Sequence, residues 1–322
     1  MTDRGKILLA FTGRPDVEAR LAALAPLLGP IARPDPDLLD AATRAETTVV
    51  VTTGSAGAAA GFIAALPRLA LIACLGSGFE GVDMAAARAR GAMVTFSPGA
   101  NASSVADHAM GLLIASVRKV AEGDRFVRAG HWPKGRRPMT GRGLAGRRLG
   151  IFGLGAIGEK VATRARAFDM EIAYHNRAPR ADAPWLYFDT LRGLAEYSDA
   201  LVISCRAGEN TRGLVDAGIL AALGSDAHVV NIARGSVIDE AALVEALQSG
   251  RLAGAGLDVF EGEPHVGEAL RALPNVVLTP HLAGTASEAR AAMLDMMMDN
   301  LAAYFDGRAP ANLASGTGPG ES

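Results

Sequence analysis

Three polar residues of this chain are spaced so that they could assist the transfer of a hydride to a ketone. Each comes just after a predicted strand: Arg234, Glu263 and His281, after strands at 229–232, 256–259 and 276–279. A guanidinium can hold a carboxylate and polarise a ketone oxygen. A carboxylate beside an imidazole favours the protonated ring and fixes its orientation, so His281 could donate a proton to that oxygen. The alternatives are a structural salt bridge for Arg234 and a packed or surface position for His281.

The remaining histidines have no setting comparable to that of His281, which directly follows Pro280 at the end of a predicted strand. They are His108, His131, His175, His228 and His265. We therefore expect only His281 to take part in the chemistry.

A glycine pattern upstream could bind the cofactor that such a transfer needs. Gly153-Leu154-Gly155-Ala156-Ile157-Gly158 directly follows an apolar strand predicted at 149–152 and opens a helix predicted at 156–168. In this setting Gly153 permits a tight turn, Gly155 lets the backbone approach a pyrophosphate, and Gly158 allows close helix–strand packing. The helix N-terminus attracts the anion. The pattern predicts a dinucleotide site at residues 153–158; the alternative is a glycine-rich turn without a ligand.

The next strand indicates which dinucleotide is preferred. It is predicted at 172–174 and ends in Tyr174-His175-Asn176-Arg177, where an NAD site usually carries an acidic residue. Arg177 can pair with a 2′-phosphate and Asn176 can donate a hydrogen bond to it. We therefore predict a preference for NADP(H), with NAD(H) possible; the alternative is a solvent-facing arginine. Cys205 and Arg206, at the end of a strand predicted at 201–205, are weaker candidates for the adenosine end.

The elements that must position these residues form two alternating units. The 322 residues, 49% hydrophobic with 38 glycines, fit an α/β protein of two domains. Strands predicted at 7–11, 48–51, 71–75 and 93–96, with helices at 17–27 and 85–90, carry no nucleotide fingerprint, which indicates a substrate domain. A long helix is predicted at 101–129, a loop at 130–148, a second alternating unit after it, and a final helix at 286–305.

The predicted fold class is therefore α/β, with two doubly wound parallel-sheet domains. A Rossmann dinucleotide domain at 99–285 is inserted into a split, flavodoxin-like substrate domain at 1–98 and 286–322.

Composition argues against several other classes of protein. A net charge of −2 favours neither nucleic acid nor an anionic membrane as a partner. Cys74 and Cys205 form no Cys-x-x-Cys pair, which argues against a disulfide framework or a zinc site and suits a reducing cytosol. No stretch approaches the roughly 20 apolar residues of a membrane span. We expect a cytoplasmic protein without a bound metal.

Several longer motifs resemble those of the D-isomer-specific 2-hydroxyacid dehydrogenases. They are Gly76-Ser77-Gly78-Phe79-Glu80-Gly81-Val82-Asp83, Val105-Ala106-Asp107-His108, Asn231-Ile232-Ala233-Arg234-Gly235-Ser236-Val237-Ile238-Asp239, Gly256-Leu257-Asp258-Val259-Phe260-Glu261-Gly262-Glu263-Pro264 and Pro280-His281. The resemblance covers nearly the whole chain. A departure is Cys205-Arg206, where many members have a proline after the strand.

The resemblance implies roles for particular residues. Arg234, Glu263 and His281 would be catalytic, and Asp258 would hold the nicotinamide carboxamide. The substrate carboxylate would be bound by Arg234 and by backbone amides of Leu75, Gly76, Ser77 and Gly78. Ala233, His281 and Gly284 would join the cofactor contacts. The implied assembly is a homodimer formed through a segment at about 101–148, with the substrate domain clamped against the dinucleotide domain.

The ending Asn176-Arg177 is most similar to that of the glyoxylate/hydroxypyruvate reductase branch. The leading hypothesis is NADPH-dependent reduction of small 2-keto acids, such as glyoxylate and hydroxypyruvate, to D-2-hydroxy acids, with His281 as proton donor. One alternative is a nucleotide-sensing, corepressor-like binding protein, which the complete Arg234–Glu263–His281 set disfavours. Another is a reductase of bulkier, aryl 2-keto acids. Phe79, Trp132 and Met139 are candidates to shape the pocket, although packing is an equal alternative for Trp132.

Overall fold

The computed structural model describes residues 5–134 and 140–317, and these divide into two compact units. Unit 1 comprises Met1–Asn101 and Ser287–Ser322, and unit 2 comprises Ala102–Ala286. The chain therefore leaves unit 1, builds unit 2 and returns. The division expected from sequence, at 98/99 and 285/286, lies three residues and one residue before these boundaries.

Unit 1 is built on a parallel sheet whose strands number five within its described residues. They are β1 (Lys6–Leu9), β2 (Leu27–Leu28), β3 (Thr47–Thr53), β4 (Leu71–Leu75) and β5 (Met93–Thr95). Their order in the sheet is β2-β1-β3-β4-β5, the doubly wound order of flavodoxin-like folds. The strands are short apolar runs because helices cover both faces of such a sheet.

The first part of unit 1 has four described helices, and all but the third begin at a side-chain cap or a proline. They are α1 (Pro15–Leu24), α2 (Ala41–Glu46), α3 (Ala60–Ala64) and α4 (Met84–Arg90). The first helix was expected to run to residue 27, which is wrong. Pro26 forces Ala25 into an extended conformation, and the chain enters β2 directly afterwards.

Unit 2 opens with two helices where the sequence predicted one. They are α5 (Ala102–Val117) and α6 (Val120–Arg128). The prediction of a continuous helix at 101–129 is wrong because Lys119 adopts a left-handed conformation with φ +57°. The Arg142 N–H donates to the Val117 carbonyl at 3.2 Å, which satisfies an acceptor at the end of α5.

The sheet of unit 2 is also parallel, and seven strands make it up within the described residues. They are β6 (Arg148–Phe152), β7 (Glu171–His175), β8 (Leu186–Phe188), β9 (Ala200–Ile203), β10 (His228–Asn231), β11 (Gly254–Leu257) and β12 (Val276–Leu278). The order β12-β11-β10-β9-β6-β7-β8 is the Rossmann arrangement with one strand added. The intervening helices are α7 (Ala156–Arg166), α8 (Leu191–Tyr197), α9 (Ala217–Ala222), α10 (Glu240–Gln248) and α11 (Glu268–Arg271).

The last helix, α12 (Ser287–Phe305), belongs to unit 1. Its residues Leu294, Met297 and Leu301 are buried in one apolar cluster with Ile7 and Val49. The methionine run therefore packs into a core, as its sequence predicted. Among the helices that the structure describes, none combines the length and apolar character needed to cross a bilayer.

Candidate active site

The predicted chemical residues gather at one edge of the unit 2 sheet. Because the strands are parallel, their carboxyl ends share an edge, and the registers pair Asn231 with Leu257 and Leu257 with Leu278. Arg234 and His281 each follow one of these strand ends within three residues. This edge is where doubly wound sheets bind ligands.

A buried asparagine shapes the turn that carries Arg234. The Asn231 side chain accepts a hydrogen bond from the Ala233 N–H and donates one to the Arg234 carbonyl, both at 3.0 Å. The Arg234 Nη1 group donates to the Ala233 carbonyl at 2.7 Å. The turn is thus fixed from both sides, and the half-buried guanidinium is held against its own backbone.

Gly235 lets this turn approach the segment that carries Glu263. A Cβ atom at Gly235 would lie 1.9 Å from the carbonyl carbon of Phe260 and 2.3 Å from the nitrogen of Glu261. No side chain fits at that distance. The identity of residue 235 therefore determines how closely the Arg234 turn can approach the turn at 260–263.

His281 and Glu263 lie within hydrogen-bonding distance of each other. The His281 Nδ1 lies 2.8 Å from Glu263 Oε2, with 42% and 34% of the two side chains exposed. The other carboxylate oxygen of Glu263 accepts a hydrogen bond from the Phe260 N–H at 2.9 Å. Both oxygens are thus used, and the pair leaves Nε2 as the imidazole nitrogen that does not contact Glu263.

The backbone of His281 is left-handed, with φ +53°, which is uncommon for a residue with a side chain. Its N–H donates to the carbonyls of Asp258 at 2.9 Å and Thr279 at 3.0 Å. Such a conformation costs of order 1 kcal/mol and persists where the surroundings hold it. The turn at 279–283 is therefore held in place by its contacts with neighbouring strands.

Asp258 makes several of the hydrogen bonds that fix the turn at 279–283. It is 1% exposed, and its carboxylate accepts hydrogen bonds from the Thr279 hydroxyl at 2.6 Å, the Leu282 N–H at 2.8 Å and the Ala283 N–H at 2.9 Å. Burial raises the pKa of Asp258, but hydrogen bonds from His108, Thr279 and these amides outweigh it, so the net pKa lies below its ordinary value. The contact of Asp258 with a nicotinamide carboxamide stays a prediction.

The three glycines of the cofactor turn have different surroundings. Gly153 has φ +100°, and a Cβ there would lie 2.4 Å from the backbone of Cys205; one at Gly158 would lie 2.4 Å from the Gly153 carbonyl oxygen. A Cβ at Gly155, the N-cap of α7, would meet no atom within 4 Å beyond the adjacent residues. Gly153 and Gly158 thus allow close packing within the protein, whereas Gly155 leaves open space at the N-terminus of α7. This space fits the approach of a pyrophosphate.

Asn176 fixes the same turn. Its Oδ1 accepts a hydrogen bond from the Leu154 N–H at 2.7 Å, a contact that sequence reasoning did not anticipate. Arg177 is exposed to solvent beside it. The contacts of Asn176 and Arg177 with a 2′-phosphate stay predictions.

Arg180 is a cation near this turn that the sequence analysis missed. It donates to the Leu154 carbonyl at 3.3 Å and to Glu159 at 2.5 Å, and it pairs with Asp182. The hydrogen bond that Arg180 donates to Asp182, partly opposed by desolvation and reinforced by Glu159, raises the pKa of Arg180. The spacing Asn176-Arg177-x-x-Arg180 was the available signal.

The remaining predicted cofactor residues differ in exposure. Ala156 and Arg206 are exposed, Ile157, Cys205 and Gly284 are half-buried, and Ala233 is buried. Burial raises the pKa of the Cys205 thiol to about 12, so the thiol is neutral, and its backbone packs against Gly153. In residues 5–134 and 140–317, no cluster of three or more His, Cys, Asp or Glu side chains is arranged to hold a metal ion.

The loop predicted to bind the substrate carboxylate belongs to unit 1. It consists of Leu75, Gly76, Ser77 and Gly78. Gly76 has φ +144°, and its carbonyl accepts a hydrogen bond from the Ser97 N–H at 2.7 Å. The loop is therefore fixed within its own unit, and its role in binding stays a prediction.

The three predicted pocket residues have separate outcomes. Phe79 packs edge-to-face on Phe96, with ring centroids 5.0 Å apart, so it has a packing role. Trp132 is 65% exposed on a short 3-10 turn. Met139 lies outside the described residues.

Comparisons with known proteins agree with this geometry. Residues 110–283 match the family model for the NAD binding domain of D-isomer specific 2-hydroxyacid dehydrogenases. The chain is 41% identical to glyoxylate/hydroxypyruvate reductase A of Arabidopsis thaliana, covering 85% of this chain and 88% of that protein. It is also 41% identical to hydroxyphenylpyruvate reductase of Plectranthus scutellarioides, covering 80% and 82%.

A solved structure extends the likeness over almost the whole chain. It is the NADPH-dependent glyoxylate/hydroxypyruvate reductase of Sinorhizobium meliloti in complex with NADP and malonate, at 39% identity and a TM-score of 0.92, covering 98% of each chain. The predicted fold and enzyme class are confirmed: the protein is an oxidoreductase with a Rossmann domain for a nicotinamide cofactor. The chain belongs to the D-isomer specific 2-hydroxyacid dehydrogenase family, in its glyoxylate/hydroxypyruvate reductase-like branch.

Proposed function

We propose that this chain reduces small 2-keto acids, such as glyoxylate and hydroxypyruvate, with NADPH, and that His281 donates the proton. The observation that carries the proposal is the His281–Glu263 pair at 2.8 Å, at the same sheet edge as the Arg234 turn. Relatives named as glyoxylate/hydroxypyruvate reductases support the substrate class.

The three residues divide the work of ketone reduction. Arg234 binds the carboxylate of the keto acid and polarises its ketone oxygen. Glu263 holds Nδ1 of His281, and the imidazolium gives its Nε2 proton to the ketone oxygen as negative charge develops there. A reduced nicotinamide cofactor held at the glycine-rich turn at 153–158 would supply the hydride, with both electrons, for the carbonyl carbon. The product is a 2-hydroxy acid, and in the reverse direction neutral His281 takes the hydroxyl proton.

The preference for NADPH rests on the end of β7. Residues 174–177 contain no acid that would repel a 2′-phosphate, and exposed Arg177 can pair with one. Asn176 already holds Leu154, so Arg177 supplies the main discrimination. A solved relative bound to NADP supports this assignment.

A second candidate function is reduction of bulkier, aryl 2-keto acids. It is favoured by the hydroxyphenylpyruvate reductase of Plectranthus scutellarioides, whose identity to this chain equals that of the Arabidopsis glyoxylate/hydroxypyruvate reductase. A nucleotide-sensing role has less support because sensing requires none of the proton-transfer geometry at Glu263 and His281.

We also propose a homodimer formed through the segment at about 101–148. Within its described part, exposed apolar side chains occur on and just after α6: Val120, Val127 and Trp132. Apolar exposure of this kind is typical of an interface. Sedimentation velocity should give a dimer that Trp132→Glu weakens; a monomer at micromolar concentration would contradict the proposal.

The experiment is a matrix of initial rates with both cofactors. NADPH and NADH are each combined with glyoxylate, hydroxypyruvate, pyruvate and phenylpyruvate, for the wild type and Arg234→Ala. We expect fastest turnover with NADPH and the small acids, and near-complete loss in Arg234→Ala with NADPH binding retained. Faster turnover of phenylpyruvate would favour the aryl candidate. Cofactor binding without turnover of any acid would favour sensing, and loss of NADPH binding in Arg234→Ala would remove Arg234 from the substrate role.

A further inference from the structure

A second histidine, His108, contacts the two residues that hold the backbone of His281 in place. His108 lies on α5, and its Nε2 is 2.9 Å from Thr279 Oγ1 and 3.3 Å from Asp258 Oδ1. Thr279 directly follows β12, and Asp258 directly follows β11. The imidazole therefore meets the two residues whose carbonyls accept the His281 N–H.

The directions of these hydrogen bonds follow from the atoms involved. Asp258 is an acceptor, so the Thr279 hydroxyl donates to its Oδ1 at 2.6 Å. The Thr279 oxygen then accepts from His108, which requires a proton on Nε2. Asp258 in turn accepts hydrogen bonds from the N–H groups of Leu282 and Ala283, the two residues after His281. A continuous chain of hydrogen bonds thus joins α5 to the His281 turn.

A second side chain on α5 reaches the same turn. The Ser104 hydroxyl donates to the Ala283 carbonyl at 2.7 Å. Ser104 and His108 are four residues apart, so they share one face of the helix. The helix therefore holds the His281 turn through two contacts: Ser104 bonds the turn directly, and His108 acts through the buried carboxylate of Asp258.

We propose that His108 is a positioning residue for the reaction. It acts through Thr279 and Asp258 to hold His281 in its left-handed conformation, at the correct distance from Glu263. The proposal rests on the proposed function of His281 as proton donor. The hydrogen-bonding partners described for His108 are Thr279 and Asp258, so its effect is on geometry and not on the proton that is transferred.

A matched control exists on the same helix. Ser116 of α5 bonds buried His228 at 2.8 Å, again a hydroxyl with an imidazole. His228 begins β10, so this contact lies at the amino edge of the sheet, opposite the His281 turn. Ser116→Ala removes a comparable bond without touching the turn.

The test combines kinetics with hydrogen exchange at single amides. The variants are His108→Leu and Thr279→Val, which break the chain of bonds, His108→Gln and Thr279→Ser, which keep the donor or hydroxyl, and the control Ser116→Ala. We expect kcat for glyoxylate reduction to fall about 10- to 100-fold in the first two, with KM for NADPH unchanged, and to recover in the second two. Exchange at the Leu282 and Ala283 amides should rise only where kcat falls.

The outcomes separate this proposal from the one on which it rests. His281→Asn is measured alongside: if it keeps the wild-type rate, the proton-donor role fails, while exchange at Leu282 and Ala283 still reports whether His108 holds the turn. If His281→Asn is inactive but His108→Leu keeps both the wild-type rate and wild-type exchange, the positioning role is refuted. A loss in Ser116→Ala equal to that in His108→Leu would also refute it, since the effect would then be one of general stability.

Discussion

Replacing Gly235 with alanine should disable the enzyme by separating two segments of its site. The added Cβ would lie 1.9 Å from the Phe260 carbonyl carbon, 2.2 Å from its oxygen and 2.3 Å from the Glu261 nitrogen. These are backbone atoms, so no side-chain rotation relieves the clash, and the segments must part by about 1.5 Å to reach ordinary contact. The change would move Arg234 relative to Glu263.

The size of the effect follows from that displacement. A misplacement of about 1 Å can cost about 100-fold in rate, and overpacking costs about 1–3 kcal/mol of stability. We therefore expect kcat/KM for glyoxylate to fall at least about 100-fold. NADPH affinity should change little because the glycine-rich turn lies on other strands.

The assay is steady-state oxidation of NADPH, with urea unfolding of the same samples. Gly61→Ala, on α3 of unit 1, is the matched control, because no atom lies within 4 Å of a Cβ at that position. A Gly235→Ala enzyme with wild-type rate and stability would refute the claim that close approach of these segments is required.

Three further changes test other parts of the account. Arg177→Ala should lower kcat/KM for NADPH about 10- to 100-fold, the value of one charge-assisted hydrogen bond, and leave NADH unaffected; equal losses with both cofactors would contradict the 2′-phosphate contact. Gly153→Ala should lower both Tm and NADPH affinity, because its Cβ would meet the Cys205 backbone at 2.4 Å. Gly155→Ala should lower NADPH affinity and leave Tm unchanged, so equal effects of the two variants on Tm would be contrary evidence. Burial and, after it, the charges of nearby cations lower the pKa of His228 from 6.5 to about 4. Its contribution of about 3 kcal/mol to the free energy of unfolding is therefore complete above pH 6.5 and disappears as the pH falls towards 4. His228→Gln should flatten that part of the plot of stability against pH, and an unchanged slope would argue against this role.

Local patterns predicted much of this fold and site. Gly153, Gly155 and Gly158 follow an apolar strand directly, so a few neighbouring residues determine their turn. Arg234 and His281 could be brought together because parallel strands end at one edge, a property that holds whatever the intervening loops do. The pair of His281 with Glu263 was expected for the same reason.

The contacts that local patterns missed join residues far apart in sequence. Gly235 meets Phe260 because of the packing of two turns, and His108 meets Thr279 because α5 crosses the sheet. His108 was given no role in the sequence analysis because its position on a predicted helix has no setting like that of His281, yet Asp258 is near it in space. Asn176 was assigned to the cofactor, but its distance from the Leu154 N–H depends on the fold.

The break between α5 and α6 shows another limit. The residues around Lys119 have ordinary helical propensity, so the apolar spacing predicted a single helix. The left-handed conformation of Lys119 accompanies a tertiary contact, in which the Arg142 N–H takes the carbonyl at the end of α5. Propensity carries no information about that partner.

The most direct test of the central claim is the single-turnover rate of NADPH oxidation by glyoxylate in His281→Asn. His265→Asn, a change to an exposed histidine in the Glu263 loop, serves as control. We expect the rate to fall about 100- to 10,000-fold in His281→Asn, with NADPH and glyoxylate still bound, and to stay at the wild-type value in the control. A wild-type rate in His281→Asn, with both ligands bound, would contradict the assignment of His281 as proton donor.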